Sequence, residues 1–238
     1  TSEGLVLVDA GLGTRDVESP ERTLGREFLL FAQPVRDPAE TALRQVEGLG
    51  ISRDDVRHIV LTHCDLDHSG GIVDFPKATV HVHALEKEAV VHPKTRIERT
   101  RYAKAHFAHG QNWAVYQAKG APWLGFERVR DLDRLPPEIL LIPLHGHTRG
   151  HSGVAVQSKS GWLLHAGDAY FHRLEMAPDR RRCPPLLDVF QRIVEIDGQA
   201  RIRNQMRLRT LVRENSDEVR VFSAHDPVEL ERCRERAS

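Results

Sequence analysis

The sequence predicts an α/β fold in which several strands end in His or Asp side chains. Apolar runs typical of buried strands alternate with helical segments along the 238 residues. Four of these runs, "HIVLTH", "ILLIPLHGH", "WLLHAGD" and "VRVFSAH", finish in His or Asp. In sheets covered by helices, ligand sites lie beyond strand ends, because rigid elements deliver side chains to one place there. We therefore expect these residues to meet in one site.

The individual elements follow from the hydrophobic pattern and the turn residues. Strands are predicted at 4–13 (ending in Asp9 and a glycine turn), 57–63, 78–84, 138–147 and 218–225, with a hairpin at 153–168. Helices are predicted at 38–48, at 85–91 and, in two pieces, at 185–213. The polar segment at about 92–127 is predicted to form surface helices and loops. We expect it to be an insertion or flap on a single domain, 1–238.

Composition and charge argue against several functional classes. The 34 basic and 34 acidic residues balance, so no global field attracts nucleic acid or an anionic membrane. No apolar stretch reaches the roughly 18 residues of a membrane span.

The three cysteines, Cys64, Cys183 and Cys233, lack zinc or disulfide spacing and favour a reducing cytoplasm. Because the chain starts without Met and almost directly on a strand, we expect N-terminal sequence, and any targeting signal in it, to be missing.

Two basic segments, 179–185 and 201–213, could suggest contact with nucleic acid. The second segment combines arginines with apolar residues. Its apolar residues Ile202 and Met206, with the region 208–212, suggest one apolar helix face, which places the arginines largely on the solvated face. We interpret this segment as a helix that covers a sheet. The expected partner is a small-molecule substrate, and the sequence leaves the oligomeric state open, with a homodimer as one candidate.

The stretch "LTHCDLDHSGG" at 61–71 is the densest cluster of ligand-type residues. His63, Asp65, Asp67 and His68 directly follow an apolar run. Burying such groups costs several kcal/mol unless a partner compensates, and a metal cation is an economical partner. Cys64 has strand neighbours on both sides and is expected to point away, as a small buried residue. Strands commonly end where polar residues begin, which would explain His or Asp at one or two of these ends. It does not explain why all four strands end in residue types that can bind a metal.

"HCDLDH" with "SGG", then "HGHTRGH", "HAGDAYF" and "SAHD", together resemble the metallo-beta-lactamase superfamily, in its lactonase and glyoxalase II-like branch. The resemblance runs from position 8 to position 225 in the family's order. It implies a four-layer αββα sandwich with a binuclear metal site at the sheet edges. By this resemblance, one metal is held by His63, Asp65 and His147, the second by Asp67, His68 and His225, with Asp168 bridging them. Asp9 resembles the family residue that does not bind the metal itself but orients one of the metal ligands.

Asp65 departs from the family pattern, which has His at this position. Carboxylate is a harder, anionic ligand, so it moves the preference of the first site from Zn, the default metal, towards Mn or Fe. Three hypotheses remain open: Asp65 binds the metal directly, it leaves the first site weak so that one metal is held, or the site is inactive.

The chemistry implied by the resemblance is metal-dependent hydrolysis. Two divalent ions would activate a bridging hydroxide to cleave a small ester, lactone, thioester or amide. The catalytic candidates are Asp67 (orienting the nucleophile and passing on its proton), Asp168 and Tyr170, a possible hydrogen-bond donor to substrate. His151 is expected to be structural. Alternative functions are a mononuclear iron dioxygenase of sulfur compounds, a phosphodiesterase or nuclease, and a non-catalytic metal-binding protein.

Overall fold

The computed structural model describes residues 1, 4–117, 119–127 and 129–234. Their contacts divide the chain into two compact units, one of residues 1–82 and 87–115, the other of residues 83–86 and 116 onwards. Within the described ranges, no helix combines the length and the apolar character needed to cross a membrane. Each unit is built on its own β-sheet.

The first unit contains a four-stranded sheet of order β1-β2-β3-β4. Its strands are β1 (Leu5–Val8), β2 (Val56–Val60), β3 (Thr79–His83) and β4 (Asn112–Tyr116). β1, β2 and β3 are parallel. Parallel strands are covered on both faces, which explains why the predicted strands at 57–63 and 78–84 contain nearly continuous apolar runs. The helices and short helical turns around this sheet are α1 (Thr14–Glu18), α2 (Pro20–Thr23), α3 (Arg26–Ala32), α4 (Ala42–Gly48), α5 (Leu66–Ser69) and α7 (Arg96–Arg101).

Helix α4 shows how sequence signals set an element of this unit. Thr41 caps its N-terminus by accepting a hydrogen bond from the Arg44 backbone N–H at 3.4 Å. Leu43 and Val46 form the buried stripe that packs into the core with Ile59 of β2. The predicted helix at 38–48 is confirmed, except that its first turn, Pro38–Glu40, is a separate 3-10 turn.

The second unit contains a five-stranded sheet of order β5-β6-β7-β8-β9. Its strands are β5 (Arg130–Asp131), β6 (Ile139–Pro143), β7 (Ser152–Ser158), β8 (Gly161–His165) and β9 (Val219–Phe222). β7 runs antiparallel to both β6 and β8, and β9 is parallel to β8. The carboxyl ends of β6, β8 and β9 therefore lie at the same edge of the sheet, as the pattern of strand ends predicts.

Helix α9 (Gly198–Glu214) corrects the predicted apolar face of the segment 201–213. The other long helices are α6 (Ala84–Val91), α8 (Pro185–Val194) and α10 (Pro227–Arg234). The buried side of α9 carries Arg201, Gln205 and Leu208, whereas Ile202 and Met206 are exposed. Positions 201, 205 and 208 recur at helical spacing and so lie on one face. The charge of Arg201 is neutralised by Glu195, whose Oε2 lies 2.5 Å from Arg201 Nε. Here a paired arginine is buried in place of two apolar residues.

The segment 92–127 is only partly as predicted. It contains α7 and irregular segments, but residues 112–116 form β4 at the edge of the first sheet, which the prediction of helices and loops missed. Trp113, Val115 and Tyr116 are residue types favoured in strands, and this preference outweighed the polar surroundings. Tyr102 and His106 are buried, so the segment also contributes to the interior. Its role as a flap remains a prediction.

Candidate metal centre

In the first unit, two His–Asp pairs follow strand β2 directly. His63 Nε2 lies 3.4 Å from Asp65 Oδ2, and His68 Nε2 lies 4.0 Å from Asp67 Oδ1. The rings of His63 and His68 are 4.0 Å apart, centroid to centroid. Asp65 stands at the N-cap of α5, yet its carboxylate makes no capping hydrogen bond. The motif thus presents ligand-type atoms as two adjacent pairs, His63 with Asp65 and His68 with Asp67.

Asp9 fixes the orientation of one of these histidines. Its carboxylate accepts hydrogen bonds from the backbone N–H of Thr62 at 2.7 Å and from the Thr62 hydroxyl at 2.8 Å. Asp9 Oδ2 also lies 2.9 Å from His68 Nδ1, so that the Nε2 atom remains on the side of Asp67. Asp9 has a φ of 56°, a left-handed conformation that Asp tolerates better than most residues. The supporting contact predicted for Asp9 is therefore present.

In the second unit, one carboxylate lies between two histidines. Asp168 Oδ2 is 3.5 Å from His147 Nε2, and Asp168 Oδ1 is 3.2 Å from His225 Nε2. The three residues follow β6, β8 and β9, whose carboxyl ends share one edge. Phe171 stacks on His225 with 5.3 Å between ring centroids and also packs edge-on against His147. Each oxygen of Asp168 thus faces a different imidazole, an arrangement that is compatible with a bridging ligand.

The spacing of these atoms fits divalent cations. Two ligand atoms about 2.0–2.1 Å from a tetrahedral ion lie about 3.3 Å from each other. Three of the four nitrogen–oxygen separations lie between 3.2 and 3.5 Å, and each of the three is longer than the usual N–H···O distance of about 2.9 Å. Imidazole and carboxylate together suit Zn, Fe and Mn. The residues of each unit therefore fit a set of metal ligands.

The loop that carries His147 is held by a buried glutamate that the sequence did not reveal. Glu86 is fully buried and accepts hydrogen bonds from the Thr148 hydroxyl at 2.6 Å and from the Gly150 backbone N–H at 3.0 Å. His151 pairs through Nδ1 with the Leu144 carbonyl at 3.0 Å, and its Nε2 accepts the Asp168 N–H at 2.9 Å. The structural role expected for His151 is confirmed. Glu86 lies in a segment that reads as an ordinary polar helix, so no sequence signal singled it out.

Tyr170 lies inside the second unit and its hydroxyl faces a carboxylate. It is fully buried and donates to Glu229, whose two oxygens lie 3.1 and 3.0 Å away. Burial and the negative charge of Glu229 raise the pKa of the phenol well above its usual value. This placement favours packing over the hydrogen bond to substrate that the sequence suggested.

Tyr170→Phe should lower stability and leave catalysis intact. Removing the hydroxyl deprives a buried carboxylate of a donor, which costs about 1–3 kcal/mol. We expect a lower midpoint in urea unfolding and unchanged turnover per bound metal ion. Tyr116→Phe, which removes a hydroxyl that accepts the Asp133 N–H at 3.1 Å, is the matched control. A tenfold loss of turnover with unchanged stability would restore the substrate role.

A buried Ser–His–Asp chain lies behind the first motif. His106 Nε2 is 2.9 Å from Asp16 Oδ1, and His106 Nδ1 is 3.4 Å from Ser69 Oγ. Ser69 is fully buried, and its hydroxyl is also within hydrogen-bonding distance of the carbonyls of Cys64 and Asp65. Substrate cannot reach a hydroxyl with no exposed surface, so this chain supports the motif and is not a nucleophilic triad. Cys64 is fully buried in the apolar core, as predicted.

His83 is a buried imidazole that makes the second unit sensitive to acid. Burial, helped by the nearby His145, lowers the pKa of His83 to about 4. Its Nδ1 accepts the Leu85 N–H at 3.2 Å, consistent with a neutral ring. The unfolded chain binds a proton near pH 6.5 but the folded chain does not, so stability falls as pH drops from about 6.5 to about 4.

His83→Gln should reduce this acid sensitivity. In the parent, the lowered pKa of His83 costs at most about 3 kcal/mol of folding free energy at low pH, since one pKa unit corresponds to about 1.4 kcal/mol. We expect the free energy of unfolding of the metal-free variant to fall less steeply below pH 6.5 than that of the parent. Urea unfolding at several pH values measures this, with the exposed His92→Gln as control. Parallel pH profiles for parent and His83→Gln would contradict the assignment.

Comparison with known proteins identifies the family. The model of the metallo-beta-lactamase superfamily matches residues 1–225. The chain belongs to this superfamily. One relative, a probable metallo-hydrolase of Mycobacterium tuberculosis, is 41% identical over 228 residues, covering 95% of this chain and 72% of the relative. An N-acyl homoserine lactonase of Bacillus thuringiensis is 25% identical over 179 residues, covering 72% of this chain and 61% of the lactonase.

Solved structures agree with this metallo-beta-lactamase assignment. An N-acyl homoserine lactone hydrolase, with N-hexanoyl-L-homoserine bound at its catalytic metal center, matches with a TM-score of 0.71 and 20% identity, covering 98% of this chain and 81% of that one. AidC, a dizinc quorum-quenching lactonase, matches with a TM-score of 0.61 and 19% identity, covering 95% and 70%. The family match and these structures confirm the predicted metallo-beta-lactamase fold. The family match and the relatives named metallo-hydrolase confirm a metal-dependent hydrolase.

Proposed function

We propose that the chain is a binuclear metal-dependent hydrolase of small esters, with lactones as the first class to test. In this proposal the ligand-type residues of the two units form one centre. The first ion is held by His63, Asp65 and His147, the second by Asp67, His68 and His225, and Asp168 is shared. When bound, such ions polarise an electrophile and lower the pKa of water towards neutrality.

The observation that carries the proposal is the position of Asp168 between His147 and His225. Each oxygen of Asp168 lies beside its own imidazole, at 3.5 and 3.2 Å, so that the carboxylate can offer one oxygen to each of two ions. The ligand-type residues of the first unit also fall into two groups, because His63 lies beside Asp65 and His68 lies beside Asp67. Two independent halves with the same division favour a centre of two ions over a mononuclear one.

The exposed members of the two halves would face the substrate. The Asp67 side chain is 33% exposed and that of His225 is 36% exposed, whereas those of His63 and His68 are buried. Asp67 is therefore the carboxylate that solvent and substrate can reach. It would orient the attacking water and carry the released proton to the leaving alkoxide, as a general base and then a general acid.

Lactones are the preferred substrate class because of the relatives. The N-acyl homoserine lactonases match this chain over 71–72% of its length at 25–28% identity. Hydrolysis of a lactone releases a tethered alkoxide, and this leaving group needs the proton that Asp67 would deliver. The same residues suit open-chain esters and thioesters, which makes these the matched comparison substrates.

Metal analysis combined with a substrate panel tests the proposal. Native protein should contain between one and two transition-metal ions per chain. After chelation, reconstitution with Zn, Mn or Fe should restore hydrolysis of a lactone or ester in a panel that also holds thioesters, β-lactams and phosphodiesters. If native protein that has never been exposed to a chelator contains no metal, the proposed metal centre is contradicted. Oxygen uptake with a persulfide would favour the dioxygenase, and turnover of a bis-aryl phosphate alone would favour the phosphodiesterase.

A further inference from the structure

Asp65, the departure from the family pattern, lies beside a buried arginine. Arg101 Nε is 3.0 Å from Asp65 Oδ1, and the two side chains are only 8% and 11% exposed. The other oxygen, Asp65 Oδ2, faces His63 Nε2. One oxygen of the Asp65 carboxylate thus faces the guanidinium of Arg101, and the other faces His63. In the sequence, Arg101 lies within a polar segment with several arginines, and nothing there distinguishes it.

Arg101 is held in place by the helix that it ends. Helix α7 begins with a capping box in which the buried Glu98 accepts hydrogen bonds from the backbone N–H groups of Lys94 and Thr95. One turn later Arg101 is the last residue of the helix. An arginine on a capped helix is restricted in position, and burying its charge is tolerated only with a close carboxylate.

We propose that Arg101 is a positioning residue that makes Asp65 equivalent in charge to the histidine it replaces. A histidine ligand is neutral and Asp65 adds one negative charge, which the permanently charged guanidinium cancels. The ion pair also selects which oxygen of Asp65 is presented beside His63. The preference for Mn or Fe expected from Asp65 then rests on the hardness of its oxygen alone, since the charge around the first ion is unchanged. This inference rests on the proposed metal centre.

The decisive consequence is that positions 65 and 101 are coupled. Asp65→His alone restores the family's ligand but leaves a buried cation close to the first ion. Such a charge destabilises the metal-free fold and repels the ion. Asp65→His combined with Arg101→Met removes that cation and reproduces a neutral site. An arginine with a purely structural role would couple to Asp65 in the melting temperature, but Arg101→Met would then leave zinc affinity unchanged.

The test is a double-mutant cycle on purified protein with two readouts. The first is the melting temperature after chelation, and the second is zinc affinity by competition with a chromophoric chelator. We expect each single variant to melt lower than the parent and the double variant to recover most of the loss. The double variant should bind zinc at least about tenfold tighter than Asp65→His alone, a change typical of residues behind metal ligands. Arg99→Met, at an exposed position on the same helix, is the control.

Each outcome decides the inference. Additive effects of the two substitutions, or equal zinc affinity of Asp65→His with and without Arg101→Met, would overturn it. If Asp65→His does not fold alone and the double variant does, that rescue supports the coupling. If neither folds, the same cycle with Asp65→Asn, which removes the charge at constant shape, decides it by melting temperature and zinc affinity together. A parent protein that binds none of Zn, Mn and Fe would refute the metal centre itself, which separates that failure from a failure of Arg101.

Discussion

Asp168→Ala is expected to abolish turnover and to strip metal from the protein. In the proposed centre this carboxylate is the one ligand shared by both ions, because its two oxygens face His147 and His225 separately. Its loss removes one ligand from each ion and leaves the two imidazoles without their common anion. We expect at least about a thousandfold fall in lactone or ester turnover, well above the effect of about 10–100-fold seen for residues behind metal ligands.

The measurement pairs elemental analysis with turnover on the same sample. Asp217→Ala, at an exposed position in the same unit, is the matched control and should keep the metal content and the activity of the parent. Circular dichroism separates loss of ligands from loss of fold. An Asp168→Ala protein that keeps its metal and its activity would remove the bridging role. Loss of one ion only would show that the carboxylate serves a single ion.

Gly150→Ala is expected to lower the stability of the second unit strongly. A Cβ at this position would lie 2.1 Å from the backbone nitrogen of Glu86 and 2.6 Å from its Cα. Backbone atoms cannot move aside as a flexible side chain can, so the contact must be relieved by displacing the loop. The Gly150 N–H would then lose its hydrogen bond to Glu86, and His147 would move with the loop. The cost is about 3 kcal/mol or more.

Urea unfolding of the metal-free protein and zinc titration test this expectation. Gly48→Ala is the control, because nothing lies within 4 Å of the new Cβ and the residue is in helix α4. Alanine favours helix over glycine by up to about 1 kcal/mol, so this variant should be as stable as the parent or more stable. A Gly150→Ala variant as stable as Gly48→Ala, with unchanged zinc affinity, would show that the loop accommodates a side chain.

The sequence predicts those parts of the structure that depend on local pattern. Strand ends with His and Asp are visible because each ligand follows an apolar run directly, as His63 follows β2. Glu86 and Arg101 are not visible in this way. Their importance comes from contacts with residues distant in sequence, Glu86 with Thr148 and Arg101 with Asp65. In the sequence each is one charged residue among several in a polar segment.

Burial is the second property that local pattern does not determine. Ile202 and Met206 suggest the apolar face of α9, yet Arg201 is the residue that lies inside, beside Glu195. Likewise the hydroxyl of Tyr170 faces Glu229, 59 positions further along the chain. In both cases a carboxylate makes a polar side chain suitable for the interior. Hydrophobic periodicity carries no information about such a partner.

The buried thiol of Cys64 makes the metal motif observable by chemical labelling. Cys64 is fully buried between His63 and Asp65, whereas Cys183 and Cys233 are partly exposed. A thiol reagent reaches Cys64 only when the segment around it opens. The labelling rate of this one thiol therefore reports how often the motif opens. A bound ion should slow that rate without changing the rates at Cys183 and Cys233.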